Sequence, residues 1–143
     1  MLSLQSYKEI IESPLFTEGP IVVFVWKNRE NWPVEAVSKN ITKYYGYDPQ
    51  EYTSNTLVYA NQIHKDDLEH VFNEVVAASQ STLNTFDHEP YRYQAKNGSF
   101  HWVKDSTTII RNEDNEITHY VGYLTDITYV KETELKLSDS QKR

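Results

Sequence analysis

Apolar and polar positions change period several times along this chain, and the changes mark its elements. Leu4, Tyr7 and Ile11 recur at helical spacing with Ile10 beside them. Residues Ser3 to Ile11 therefore predict a short amphipathic helix, capped by Ser3 and closed by Pro14 and the Glu18-Gly19-Pro20 turn. The all-apolar run Ile21 to Trp26 reads as a strand, and Val34 to Val37, after the polar turn Lys27 to Asn31, as its hairpin partner. Ile41 to Tyr45 predicts a turn or two of helix stopped by Gly46. Asp48-Pro49-Gln50-Glu51 starts another helix, with a capping acid, a proline at the first helical position and a glutamate where a capping box places it. Ser54-Asn55-Thr56 breaks the pattern before the apolar piece Leu57 to Ala60. Leu68, Val71, Phe72, Val75 and Val76 then form one long helical stripe within Asp67 to Ala78, with Asp66 and Glu69 as a capping-box-like pair.

From Thr85 onward the period becomes two. Three strands are expected: Thr85 to Ala95, interrupted by Pro90 at an edge or bulge, Phe100 to Ile110, and Ile117 to Thr125. Asn97-Gly98 is a type I′ hairpin signal, and Asn112 to Asn115 makes the second turn. After Asp126 a charged helical pattern resumes. This order predicts an α+β domain, a single antiparallel five-stranded sheet with short helices on one face. Residues 1–19 form an N-terminal flanking helix, 20–126 the domain, and 127–143 the start of a C-terminal helix.

Composition narrows the function classes. A chain of 143 residues holds one domain with a modest core, and eleven Tyr and three Trp make amphipathic rings its main packing material. A net charge of −7, with Arg29, Arg92, Arg111 and Arg143 scattered, argues against nucleic acid as a partner. The absence of cysteine excludes disulfides, thiolate metal sites and cysteine nucleophiles, and fits a cytoplasmic location. Ile21 to Trp26 is too short to cross a bilayer. The polar helical pattern runs to Lys142-Arg143, so a longer protein is expected, with any membrane attachment outside this segment.

Several motifs, in this order, resemble the PAS domain family, its fold-3 subgroup with a PAC-type second half. They are Tyr91-Arg92, Asn97-Gly98, His101-Trp102-Val103, Gly122 and Asp126-Ile127-Thr128. Trp32 to Tyr52 looks like the second strand and first helices of that subgroup. Ile63-His64-Lys65-Asp66-Asp67 looks like its His-Pro-Asp-Asp helix start, with Lys65 where proline is usual. Asn97 stands for the commoner Asp and Asn115 for a turn Gly, departures that touch turns only.

The resemblance implies a pocket between the concave sheet face and the long helix, and a convex face that packs on a flanking helix or a second subunit. With Trp102 taken as convex, alternation assigns Val103, Asp105 and Thr107, Tyr120 and Leu124, Tyr91 and Tyr93, and Val23 and Val25 to the pocket. Phe24, Trp26, Trp102, Ile110, Val121 and Tyr123 fall on the other face, too much apolar surface to leave wet. The N-terminal helix, a second copy in a homodimer, or both are expected to cover it.

The polar set Tyr91, Tyr93, Asp105, Thr107 and Tyr120 could bind a small polar ligand, or its members could satisfy one another in a small empty or watered core. His70 borders the apolar stripe and is expected to face solvent, which argues against haem. No thiol is available for a flavin adduct, and Val103 and Leu124 stand where flavin-binding relatives place amides. His64 with Asp66 and Asp67 matches a helix cap better than a metal site, and His88, His101 and His119 do not all share a face. No nucleophile, metal set or phosphate loop supports an enzyme, leaving proton transfer at Asp105 as the residual catalytic reading.

At the exit, Asp126 can cap a helix beginning near Ile127, with Thr128 as a second acceptor. Ile127, Val130 and Leu137 make a seam weakened by Glu134 and Gln141, with Glu132 and Lys136 as a surface pair. The expectation is a sensory and signal-transfer module of a bacterial-type signalling protein. It would relay ligand occupancy or dimer rearrangement through Asp126-Ile127-Thr128 to an effector in the same chain, such as a diguanylate cyclase or histidine kinase. The alternative is a ligand-free dimerisation module.

Overall fold

The computed structural model describes residues 3–141; Met1, Leu2, Lys142 and Arg143, the ends of the expected flanking and tail helices, lie outside the described residues. Helices α1 (Leu4–Ile10) and α2 (Pro14–Thr17) precede β1 (Val22–Lys27) and β2 (Val34–Val37). Then come α3 (Ile41–Tyr45), α4 (Pro49–Thr53), a 3-10 turn (Tyr59–Gln62) and α5 (Leu68–Ser79). The chain closes with β3 (Thr85–Asp87), β4 (Tyr91–Gln94), β5 (Phe100–Arg111), β6 (Ile117–Asp126) and α6 (Thr128–Gln141). The apolar piece after Thr56 is thus a 3-10 turn. Pro14 starts a second helix rather than only ending the first, because proline suits the first helical position. No helix of the described residues is long and apolar enough to cross a membrane.

All strand pairs are antiparallel, in the order β2-β1-β6-β5, with β3 and β4 both paired to β5. The sheet is α+β as expected but has six strands, because the stretch Thr85 to Ala95 splits at His88-Glu89-Pro90. Proline has no N–H for the ladder, so pairing resumes only at Tyr91. His88 N–H still donates to the Asp105 carbonyl at 3.0 Å, which draws the His88 side chain inward as the strand kinks.

The expected orientation of β1 is reversed. Phe24 and Trp26 lie on the helix-side face, while Val23 and Val25 lie on the opposite face against α1. Cross-strand register fixes this: Phe24 stands opposite Gly122, Trp26 opposite Tyr120, and Val22 opposite Leu124. Directly opposed residues share a face. The strand Val22–Lys27 is buried on both sides, so its side chains carry no alternation from which parity could be read. The other strands keep the expected sense. Tyr91, Tyr93, Val103, Tyr120 and Leu124 join the helix-side core, and Ile110, Val121 and Tyr123 lie on the α1 side.

Tyr7 and Ile11, with Leu4 and Phe16, pack on that second face, so the N-terminal helix is one of the covers expected for it. Lys8 and Glu35 add an exposed ion pair at 3.8 Å, of little energetic weight.

Turn chemistry sets the rest. The Asp48–Glu51 capping box forms as expected, and Gly46 ends α3 at φ +86°. Asn97-Gly98 is not type I′: only Gly98 is left-handed (φ +91°), and Gly98 N–H donates to Ala95 O while Ala95 N–H donates to Ser99 O. That is a type I turn with a glycine bulge. The β5–β6 turn repeats the pattern with Asn115 at φ +63° in the glycine position, tolerated because a short amide adopts this conformation readily.

The Asp66–Glu69 capping box does not form. Asp67 precedes α5, and its carboxylate turns instead to Arg92, accepting from Nε and N–H at 2.9 and 2.8 Å and from Nη2 at 2.9 Å. Burial pushes the Asp67 carboxyl up, but the Arg92 hydrogen bonds outweigh it and leave it below its ordinary value of 3.8. Its contribution to stability is therefore present above that value and lost as pH falls through the lowered one. Arg92→Met is expected to cost about 2 kcal/mol in urea unfolding at neutral pH. The variant should also lose less stability than the parent on acidification. A parent-like midpoint at neutral pH would show that this bidentate pair does not anchor α5.

Candidate ligand chamber and signal exit

Glycine at 122 creates the interior. A Cβ there would overlap the Trp26 ring and come within 3.0 Å of Asp105 Oδ1, so only glycine lets both side chains occupy this part of the sheet. Around them a chamber of about 20 Å³ is lined by Trp26, Tyr59, Tyr91, Asp105, Thr107 and Tyr120, with His88, Val71, Val75 and Trp32 completing it. That volume accommodates one water-sized group.

Asp105 is 2% exposed, and among the described residues no Lys or Arg bonds it. Tyr91 donates to its Oδ2 at 2.6 Å and Thr107 to its Oδ1 at 2.9 Å. With its one proton spent, Tyr91 accepts from Tyr59 at 2.7 Å. Burial pushes Asp105 above its ordinary value of 3.8, against the His88 charge and the two hydroxyl donors, which pull it down. Burial likewise holds Tyr59 and Tyr91 well above the usual phenol range, with the nearby Asp105 charge the next cause. His88 is tied to Glu74 at 2.7 Å, and His70, half exposed, meets the same carboxylate oxygen at 3.2 Å. Trp26 Nε1–H is a buried donor with no acceptor among the described residues.

Trp32 borders both this chamber and a surface groove of about 840 Å³ that runs along α5 past Leu68, Phe72 and Val76. Asn31 and Trp32 both have positive φ, +65° and +54°, so the loop that carries the indole is held in a left-handed backbone. Tyr120 links the same region to Ser79 at 2.7 Å and to Asn28 at 3.3 Å.

A second constellation sits where the sheet ends. Asp126 Oδ1 accepts from Thr128 N–H at 2.9 Å, capping α6, while Oδ2 meets His101 Nδ1 at 2.9 Å and the Tyr45 hydroxyl at 3.4 Å. Trp102 O accepts from Ile127 N–H at 2.8 Å, and Trp102 N–H donates to Thr128 Oγ1 at 3.0 Å. The Trp102 indole carries the Arg92 guanidinium at 4.8 Å and Lys131 of α6 at 5.1 Å. Trp102 thus lies half-buried beneath these two cations. Tyr45 packs edge-on against Tyr93, whose hydroxyl pairs with Tyr52 at 2.6 Å, so the exit touches the aromatic core directly.

The sequence pattern of the PAS fold matches residues 34–124, more than half of the chain. This chain belongs to the PAS fold family. Over 129 residues it is 43% identical to the methyl sulfide methyltransferase-associated sensor of Methanosarcina acetivorans, covering 90% of this chain but 13% of that much longer protein. Among solved PAS-like structures, a sensory box histidine kinase/response regulator from Burkholderia thailandensis superposes with a TM-score of 0.69 at 22% identity, over 90% of this chain and 92% of the other. The N-terminal domain of a diguanylate cyclase with a PAS/PAC sensor from Marinobacter aquaeolei gives 0.63 at 19% identity, over 78% and 98%. At these identities the structures establish the fold alone.

Within this PAS domain, Tyr91, Asp105, Thr107 and Tyr120 line the chamber, while Tyr93, Val103 and Leu124 share its face but lie in solid core. Val23 and Val25 are remote from it. Sequence reasoning missed Trp26, Tyr59, Trp32 and His88 as lining residues. For His88 the signal was Pro90, whose break in the ladder shifts parity by one. For Trp26 it was the small residue at Gly122, which needs a large neighbour on the same face. Among the described residues no group of three His, Asp or Glu side chains is placed to hold a metal.

Proposed function

We propose that this chain is a sensory PAS domain without catalysis of its own, which converts the state of its Asp105 chamber into a change at the start of α6. The Asp126 junction supports this most directly. One carboxylate holds the helix N-terminus, the first residues of β5 and an aromatic of the core together, so a shift of Tyr45 or β5 is felt by α6 without any intervening mobile segment. The sensor-named relative and the kinase and cyclase neighbours support a signalling context with an effector elsewhere in a longer protein, and the reading places this domain in the cytoplasm.

Asp126→Ala tests the route. Hydrogen exchange should accelerate about tenfold or more at the amides of Thr128 and Lys131, matching loss of a cap worth about 1 kcal/mol and of the contact to His101, while β5 and β6 stay protected. Unchanged exchange in α6 would remove the junction from the mechanism.

A ligand-free dimerisation module is the second reading. The small chamber favours it, as do the exposed Tyr129, Val130, Leu135 and Leu137 on α6, whose ion pair is Lys131–Glu134 at 3.8 Å rather than Glu132–Lys136. Sedimentation over a range of concentrations, with native mass spectrometry for retained small molecules, separates the two.

A further inference from the structure

We propose that the chamber recognises a small protonated amine, whose ammonium group pairs with Asp105 between the rings of Trp26, Tyr59, Tyr91 and Tyr120. The proposal rests on reading the domain as a small-molecule sensor, and it names the chemical class of the ligand.

Charge is the first argument. Asp105 is a buried carboxylate held only by neutral hydroxyl donors. A carboxylate has about four acceptor positions, so roughly two remain for N–H donors from a ligand. Neighbouring basic side chains are committed elsewhere: His88 to Glu74, and Arg92 to Asp67. Glu74 adds further negative potential, raising Asp105 rather than neutralising it. An anionic ligand would be repelled.

Lining chemistry is the second. Five of the chamber's lining residues are Trp or Tyr, and aromatic faces around a carboxylate attract an organic cation through the ring quadrupole while accepting its carbon atoms. The third is the unpaired Trp26 Nε1–H, a buried donor in the chamber wall that calls for an oxygen acceptor. An amino alcohol carries both the cation for Asp105 and the oxygen for the indole.

Access follows from Trp32. The chamber alone holds one water-sized group, but it is separated from the α5 groove only by residues that line both, Trp32, Val75 and Tyr120. Turning the Trp32 indole outward joins the two spaces and admits a ligand of several heavy atoms, its far end against Phe72, which is 56% exposed.

The experiment compares ethanolamine and ethylamine hydrochlorides with ethylene glycol and glycolate, reading thermal unfolding and calorimetric binding on this chain. Both amines should bind, raising the folded-to-unfolded ratio about a hundredfold at a hundred times Kd. Neither the neutral diol nor the anion should do so. Because the amine needs ionised Asp105, binding below the folded-state titration of Asp105 should release a proton, seen as a buffer-dependent heat. Affinity should fall about tenfold per pH unit below the folded-state titration of Asp105 and level off above it. The other titrating groups facing Asp105 are His88, Glu74, Tyr59 and Tyr91. Of these, His88 acts in the same direction, since its protonation at lower pH places a competing cation beside the site, and Asp105→Asn, which keeps His88, separates the two.

Asp105→Asn should abolish amine binding without altering α6 exchange at Asp126. The diol and pH comparisons use the parent protein, so the test does not depend on that variant folding. Ethylene glycol binding as well as ethanolamine, or amine affinity independent of pH, would overturn the proposal. Failure of the amines alongside faster α6 exchange in Asp126→Ala would leave the sensory reading standing and sink only the ligand class.

Discussion

Gly122→Val is expected to lower the free energy of unfolding by about 3 kcal/mol or more, at the upper end of what overpacking costs. The Trp26 ring lies where the new side chain must go, and Asp105 Oδ1 limits the alternative. Trp26 cannot step aside cheaply, because it stacks on Phe24 at 5.4 Å with an interplanar angle of 3° and meets Tyr59 edge-on at 4.9 Å. Equilibrium urea unfolding measures the loss. Combining the substitution with Trp26→Leu should recover part of it, since the two residues contest one volume and their effects should not add. A loss below about 1 kcal/mol for the single variant would mean that the indole is not locked against the sheet.

Tyr91→Phe is the second large effect, about 3 kcal/mol at neutral pH, because one hydroxyl serves two buried partners. Its removal strips a 2.6 Å donor from Asp105 and leaves the Tyr59 hydroxyl without its 2.7 Å acceptor. The pH dependence carries the diagnosis. Asp105 sits above its ordinary 3.8 in the folded chain, so its part of the stability is fully present below that value and is lost as pH rises through the folded-state value. The Tyr91 hydrogen bond lowers that folded-state value, so deleting it should raise it further and extend the loss to higher pH. Tyr91→Phe should therefore be closest to the parent in acid and fall behind as the solution is made neutral. A deficit that is constant with pH would point to packing alone.

These two substitutions act on the same few cubic ångströms from opposite directions. Gly122 leaves the space in which Trp26 and Asp105 meet, and Tyr91 makes the carboxylate tolerable there. A polar group of this kind in a central strand is costly to keep, since burial of a carboxylate without a cation is opposed by several kcal/mol. Its retention in the sheet, beside an unpaired indole N–H, is what makes the chamber a better candidate for recognition than the larger but open groove along α5.

Much of the fold was legible in order and spacing. The capping box at Asp48 and Glu51, the glycine stop at Gly46, the helix α5 and the alternation in β5 and β6 each follow from local geometry and form where expected, although Phe72 and Val76 of the α5 stripe stay exposed. Local signals failed where a side chain had two possible partners. Asp67 could have capped α5 but found Arg92 of β4. Asn97-Gly98 could have made either of two hairpin turns, and the one that keeps Ala95 paired to Ser99 prevailed.

The chain's own order of residues was sufficient to establish an antiparallel sheet with helices on one face, the polar interior of β5, and a helix capped by Asp126 at the exit, because these depend on periodicity and on contacts a few residues apart. Which face Phe24 and Trp26 take, that His88 turns inward, and that Trp102 lies beneath Arg92 and Lys131 were decided only by assembly. Each of these rests on register between strands far apart in sequence. In a strand buried on both sides, every position is apolar, and nothing local records which side is which.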